Sequence, residues 1–419
     1  MASILEWGES EQLLGQCRTV ERRSMKISRI DCHVLVDPEY DPAATSSAQD
    51  DFVVEVHTDE GVVGIGESDI NPWIARACVE APGTHTMDLG LRNLLLGADP
   101  LDSAAVWQRA YVGTAMAGRR GALIHALGAI DMALWDIRGK VAGKPVWQLI
   151  GDQRPDPVRA YASLEPEVGD FDAYVDSMVR WAKTAVSLGF RAVKAEATFS
   201  GPYANMGLRA DDEKMTELLT AVRAAIGPDI ALMVDVQYAF DSVDRARASL
   251  EAWSELDLYF VETPLWIDDL DDYAKLVDAS NILIAAGEWQ ATRHEFADLI
   301  HRGKLDVVQP DIGRVGGLTE AIAVCEMAAG AGRLIVPHVW KTGISLAAAA
   351  HLATVTPRMP YFEFLHPDVC ESRLRKELVD DEVHVVDGVV QPPRRPGLGI
   401  ELNRDKLDEF ADAATRLYS

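Results

Sequence analysis

Three carboxylates end three successive strand-like runs in the middle of the chain. Leu-Met-Val-Asp235 closes the first, Tyr-Phe-Val-Glu262 the second and Ile-Ala-Ala-Gly-Glu288 the third, with helical stretches between them. The acids follow one another at 27 and then 26 residues, a β-α-β-α-β spacing. In a parallel barrel, consecutive strands are neighbours and their C-terminal ends share one face. Neighbouring strands lie about 4.8 Å apart, so Asp235, Glu262 and Glu288 are expected to converge. Converging carboxylates repel one another unless a positive charge sits among them. A hard divalent cation with oxygen ligands, Mg²⁺ first, answers that need. Any one of the acids could instead cap the helix that follows it; three in register favour the cation. A second constellation lies further on. His338 follows the apolar run Arg333-Leu-Ile-Val-Pro337, and Asp311 ends the preceding run. An Asp–His pair across neighbouring strand ends would orient the imidazole and raise its basicity. Alone, His338 reads as a turn residue; with Asp311 beside it, the pair reads as a general base.

The elements that must carry these residues follow from the texture of the chain. Met25 to Leu35, Asp51 to Thr58 and Val62 to Glu67 alternate as strands, with Asp59-Glu-Gly61 as a hairpin turn. Gly121 to Lys140 places Leu123, Leu127, Ile130, Leu134 and Ile137 on one helical face. From Val158 onward strand-helix units repeat, with strand centres expected at Tyr161, Val193, Met233, Phe260, Ile284, Val307, Ile335 and Phe362. Eight such strands close into an α/β barrel. The expected organisation is an extension over 1–24 that is poorly ordered, an α+β capping unit over 25–155, a barrel over 156–366, and a tail over 367–419 that holds a further strand pair, Glu382 to Val386 and Gly388 to Gln391, and returns to the cap. At 419 residues the chain has room for two or more domains, and its 48% hydrophobic and 25% charged residues are ordinary for a globular protein. A net charge of −26 argues against nucleic acid and anionic membrane surfaces as partners. The five scattered cysteines show no CxxC spacing, which suits reduced thiols in the cytoplasm. Residues 1–25 hold no apolar signal core, and no stretch is long and apolar enough to span a bilayer.

Taken together, these segments resemble the enolase superfamily, and within it the mandelate racemase subgroup. The carriers are Ala129-Ile-Asp131-Met-Ala-Leu-Trp135-Asp136-Ile-Arg-Gly139-Lys, Val234-Asp235, Val261-Glu262-Thr-Pro264, Gly287-Glu288, Val308-Gln-Pro-Asp311 and Pro337-His338. The resemblance implies a capping domain over a (β/α)7β modified TIM barrel, with the C-terminal tail completing the cap. It implies one Mg²⁺ per subunit, held by Asp235, Glu262 and Glu288. It implies abstraction of the proton α to a carboxylate to give an enediolate, with His338 and Asp311 as the basic dyad. Glu363, ending the eighth strand between two phenylalanines, matches an acid that steadies the developing charge, and its aromatic neighbours are expected to raise its pKa.

One strand departs from the family pattern. Members with bases on both faces of the substrate end the second barrel strand Lys-x-Lys; here it reads Lys194-Ala195-Glu196. Lys194 keeps the first position, facing the substrate carboxylate or the metal ligands. Glu196 stands as a weak base, a proton donor or a salt-bridge partner of Lys194, which is expected to keep it ionised. A racemase needs two competent bases, so one α-configuration is expected to react. A lysine ending the sixth strand, wanted by muconate-lactonising and dipeptide-epimerising members, is replaced by Asp311. Gln237, Trp340 and Lys341 are candidate substrate contacts, and Trp73, beyond the polar loop from Asp37 to Asp50, a lid residue. The leading expectation is a Mg²⁺-dependent dehydratase acting on an aldonate or aldarate, in a homo-oligomer of two to eight copies. A racemase, epimerase or cycloisomerase on a related small carboxylate stands second, and a metal-binding barrel without activity is the rival of another class.

Overall fold

A computed structural model describes residues 25–42, 47–86, 88–151, 157–167, 169–204, 212–391 and 393–418. The extension expected over 1–24, the expected boundary at 155 and part of the 37–50 loop lie outside the described residues. The cap begins with an antiparallel sheet in the order β1 (Ile27–Val36), β2 (Asp50–Thr58), β3 (Val63–Ser68). The helix Ala122–Ala142 lies across that sheet, and its predicted apolar residues are all buried in the cap core. Glycine makes the contact possible. A Cβ at Gly64 or Gly66 would stand 2.0 Å from the carbonyl oxygen of Ala133 or Ala129, so no side chain fits between sheet and helix. The helix also buries Met132 and Trp135 on its other face, against the barrel, which is why its sequence is apolar nearly all round.

The barrel strands fall at the eight predicted centres: β4 (Arg159–Ser163), β5 (Ala192–Glu196), β6 (Ala231–Asp235), β7 (Leu258–Glu262), β8 (Leu283–Ala286), β9 (Val307–Val308), β10 (Leu334–Ile335) and β11 (Tyr361–Phe364). β4 to β10 pair in parallel in chain order and β11 pairs with β4. Across the remaining seam Ile335 N donates to Arg358 O at 3.1 Å. A helix of ten residues or more follows each strand from β4 to β10, the (β/α)7β arrangement. Alternation along the strands sorts their side chains between two cores. Tyr161, Ala192, Met233, Phe260, Ala285, Val307 and Val336 fill the barrel interior, while Ala160, Val193, Leu232 and Val261 face the helices.

The tail carries the expected strand pair: a hairpin of β13 (Val385–Val386) and β14 (Val389–Val390) extends the barrel sheet beside the first residue of β4. The segments flanking that hairpin in the chain, β12 (Val379–Asp380) and β15 (Glu401–Leu402), pair with each other. The tail meets the cap at Ser372, whose Oγ donates to Ala48 O at 2.6 Å, again through a bridge of Gly397 to Pro145, and finally through the helix Arg404–Tyr418 against β1. Among the described residues no helix is long and apolar enough to cross a membrane.

Candidate active site

The C-terminal ends of β5, β6 and β7 lie level, with Glu196 opposite Asp235 and Asp235 opposite Glu262 in the strand register. Glu288 stands two residues beyond β8, where Gly287 turns the backbone at φ +137°; a Cβ there would come within 2.9 Å of the Phe296 ring and 3.0 Å of Gln309 N. Only glycine fits that position. Beyond β9 and β10, Asp311 and His338 form an isolated parallel bridge, which continues the strand pairing to the same face. His338 Nδ1 lies 2.6 Å from Asp311 Oδ2, and its Nε2 lies 3.2 Å from Glu288 Oε2. A cavity of about 280 Å³ opens here, bordered by Lys194, Glu196, Asp235, Glu288, Arg314 and His338. Gln237 and Trp340 line it too.

Lys194 is enclosed by acids. Its Nζ donates to both Glu262 oxygens at 3.0 and 2.9 Å and lies 2.7 Å from Glu363 Oε1. Glu363 Oε2 accepts from Val339 N at 2.7 Å. Burial would raise the Glu363 pKa, but Lys194, His338 and that amide outweigh it and hold the group below its ordinary value. The expected upward shift is therefore reversed: the aromatic neighbours desolvate Glu363, and the cation beside it wins. Glu196 corrects the reading in the opposite sense. Lys194 is engaged by Glu262 and Glu363 rather than by Glu196, whose Oε1 accepts from Thr198 Oγ1 at 3.1 Å. Burial first, and then the charge of Asp235, push Glu196 up to about 8. It is not held ionised as expected.

The three converging acids bear the same mark. Burial raises Asp235 to about 6 and Glu262 to about 7 against the pull of Lys194, and raises Glu288 against His338 and Arg314. Their own charges add to it: Glu288 acts on Asp235, Asp235 on Glu262 and Glu262 on Glu288. Among the described residues no three His, Cys, Asp or Glu side chains close into a ready ligand cluster. Each acid has a local partner: Thr263 Oγ1 donates to Asp235 Oδ1 at 2.6 Å, Lys194 serves Glu262, and Tyr238 OH donates to Glu288 Oε1 at 3.0 Å. The donor set nonetheless fits a hard divalent cation, being buried, all-oxygen and short of compensating positive charge. For His338, burial would lower the pKa, but Asp311, Glu363 and Glu288 raise it to about 9. A cation beside Glu288 would offset part of that rise.

Two expected contacts lie elsewhere. Lys341 Nζ is a strut to the cap, donating to Asp50 O at 2.7 Å and to Ser47 O and pairing with Asp69 Oδ1 at 3.1 Å. Its long stem spans from barrel to cap before it can reach the cavity. Trp73 stacks on Tyr418 at 6.0 Å between ring centroids, because the last helix covers it. Gln237 reaches the cavity from a turn, at φ +43°, and not from an extended β6. Tyr238 and Thr263 are also left-handed, at φ +62° and +48°; such residues cost about 1–3 kcal/mol each and mark functional turns. Sequence reasoning passed over Tyr238 and Thr263 and gave Arg314 no role. Arg314 joins the cap to the site, contacting Asp69 and donating to Glu288 O at 3.3 Å. The available signal was spacing: each of Tyr238 and Arg314 stands three residues past an acid already singled out.

Residues 30–151 match the family description "Mandelate racemase / muconate lactonizing enzyme, N-terminal domain", and residues 177–406 match "Enolase C-terminal domain-like". The chain is 32% identical to a D-galactarolactone cycloisomerase of Agrobacterium fabrum over 92% of its own length and 99% of the relative. It is 31% identical to an arabinonate dehydratase of Saccharolobus solfataricus, over 85% of this chain and 89% of that one. A crystal structure of a racemase from Streptomyces coelicolor with bound magnesium superposes with a TM-score of 0.77 at 27% identity, covering 92% and 99% of the two chains. The chain belongs to the enolase superfamily, as an enzyme of its mandelate racemase / muconate lactonizing enzyme group.

Proposed function

We propose that this enzyme removes the proton α to the carboxylate of an acid sugar and expels the β-hydroxyl, giving a 2-keto-3-deoxy acid. The reading rests on one observation: His338, hydrogen-bonded to Asp311, shares a small cavity with Lys194, Glu196 and two of the three converging acids. Asp235, Glu262 and Glu288 would hold Mg²⁺. When bound, the ion supplies positive charge to the substrate carboxylate and makes the α-proton more acidic. His338 Nε2 takes the α-proton while Asp311 fixes the ring through Nδ1. Lys194 Nζ, kept protonated by Glu262 and Glu363, adds fixed positive charge beside the acids. Glu196, whose burial favours the protonated form, gives its proton to the departing hydroxyl, which leaves as water. The enol product then tautomerises to the 2-keto acid.

A cycloisomerase reading stands beside it, favoured by the 32% identity to the A. fabrum enzyme over nearly both full lengths. Proton abstraction is the same, and the expelled group is then a ring oxygen that stays in the product. Three measurements test the proposal. Mg²⁺ should raise the melting temperature of the wild type and EDTA lower it, with the response lost in Glu262→Gln. A panel of aldonates and aldarates should yield 2-keto acid with at least one member; ring opening of their lactones without loss of water, and no reaction of the open-chain acids, would move the assignment to the second reading. Wild-type turnover in Glu262→Gln would refute the ligand assignment.

A further inference from the structure

Four successive strand-to-helix loops each give one aromatic ring to a cluster, and two of the four rings line the cavity. Tyr203 follows β5, Tyr238 follows β6, Trp266 follows β7 and Trp289 follows β8. The rings touch as one group. Tyr238 lies 4.4 Å from Trp289 at an interplanar angle of 32°, and 5.5 Å from Trp266. Tyr203 meets Trp289 edge to face at 5.2 Å and 87°. Tyr203 and Trp289 line the cavity that holds the catalytic groups. Tyr203 and Trp266 each remain 39% exposed, so the cluster is not a closed core but a surface with an unfilled side. Tyr238 anchors it from a left-handed backbone, with its hydroxyl donated to Glu288. A turn held in a costly conformation is retained where the surrounding structure uses it.

We infer that this cluster is a stacking platform that selects sugar acids carrying a ring over open-chain ones. The inference rests on the proposed α-proton chemistry and deepens it by naming the substrate class. The inner end of the cavity is crowded with charged groups that suit a carboxylate and its α-carbon. The aromatic side offers little to the hydroxyls of an extended polyol, and a buried hydroxyl without a partner weakens binding. A five-membered ether or lactone ring presents a face of C–H groups and keeps its polar atoms at the edge. Such a face buries apolar area on Trp289 and Tyr203 without stranding a donor. A ring also arrives with fewer torsions to freeze.

The probes are an anhydro-aldonate with a five-membered ether ring and the open-chain aldonate of the same configuration, each with one carboxylate. Calorimetric titration of the Mg²⁺-loaded protein should favour the ring by about tenfold, roughly 1.4 kcal/mol. Trp289→Leu should bring that ratio near one, and Trp289→Phe should keep most of it. Trp266→Leu, at the exposed rim, provides a second reduction should Trp289→Leu fold poorly. A wild type that binds the open-chain acid as tightly, or variants that weaken both probes equally, overturn the platform. Exchange of the α-proton in D₂O, followed by NMR for both probes, separates the two readings. Ring preference without exchange in either probe sustains the platform and removes the proposed chemistry. Exchange with the open chain preferred does the reverse.

Discussion

Lys194 shows how the site distributes its charge. The side chain is buried, and burial alone would favour its neutral form, yet Glu262 and Glu363 raise its pKa well above the ordinary value. The same cation holds Glu363 ionised and leaves Glu196, two residues along, without a partner of opposite charge. Glu196 therefore differs from its neighbours in role. We expect Glu196→Gln to lower kcat about 100-fold on a β-hydroxy acid, and far less on a β-fluoro analogue, whose leaving group needs no proton. His338→Asn should be equally damaging on both substrates. A Glu196→Gln loss of the same size on both would sink the donor role. Asp311→Asn should cost roughly 10²–10⁴ in kcat and leave the Mg²⁺-dependent rise in melting temperature nearly intact; loss of that rise would make Asp311 a ligand. At this scale the placement of Asp235, Glu262, Glu288, Asp311 and His338 on one face of the barrel was legible in the sequence, because each ends or closely follows a strand with a recognisable spacing. It did not disclose which acid Lys194 would choose, or that Lys341 would turn to the cap. Those outcomes depend on side chains 68, 169 and about 290 residues away in the chain, and periodicity carries no such information.

The last helix, Arg404–Tyr418, is held to the cap at its first turn. Arg404 donates to Glu55 Oε2 at 2.9 Å and Oε1 at 2.7 Å, and His33 Nε2 lies 3.0 Å from Glu55 Oε2. Further along, Ala414 meets Val34, Val36 and Trp73. Burial would raise Glu55, but hydrogen bonds from His33 and Arg404 hold it at about 2. A depressed carboxylate pKa contributes stability at pH values above the unfolded value of about 4.3. That contribution fades as pH falls from there through the folded value. The melting temperatures of wild type and Glu55→Gln should thus differ by a constant amount between pH 5 and 7 and converge below pH 4. A gap as wide at pH 3 as at pH 7 would contradict it; because Arg404 is largely exposed, the gap itself should be small. The helix was not among the sequence's clear elements, and its docking on β1 was read only as a tail returning to the cap. Strand centres were far easier to place, since each lies in a β-branched or aromatic run between helix-forming segments.

At the scale of the whole molecule, the family motif around Asp131 and Asp136 turns out to join its parts rather than to do chemistry. Asp131 accepts from Thr319 N at 2.8 Å and Thr319 Oγ1 at 2.6 Å, at the start of the barrel helix Leu318–Gly330. Asp136 reaches three places. Its Oδ2 accepts from Ile65 N in β3 at 3.1 Å and from Lys140 Nζ at 2.7 Å, and its Oδ1 accepts from Leu398 N in the tail at 2.9 Å. One carboxylate thus links cap sheet, cap helix and C-terminal tail, with Leu398 lying 262 residues beyond Asp136 in the chain. Both oxygens are acceptors, so an amide cannot replace the acid. In Asp136→Asn one oxygen becomes an NH₂ group that faces an existing N–H donor whichever way it turns. A buried donor left unmatched costs about 1–3 kcal/mol, more where a charge has been lost. We expect Asp136→Asn to destabilise the fold by roughly 2–3 kcal/mol, nearly as much as Asp136→Ala, although it preserves the shape of the side chain. Because the residue lies away from the cavity, kcat measured well below the melting temperature should stay within about twofold of wild type. Denaturant unfolding with and without Mg²⁺ provides the check. An Asn variant as stable as wild type would mean that the junction is held by packing alone, and a collapse of kcat in a folded variant would place Asp136 in the catalytic machinery.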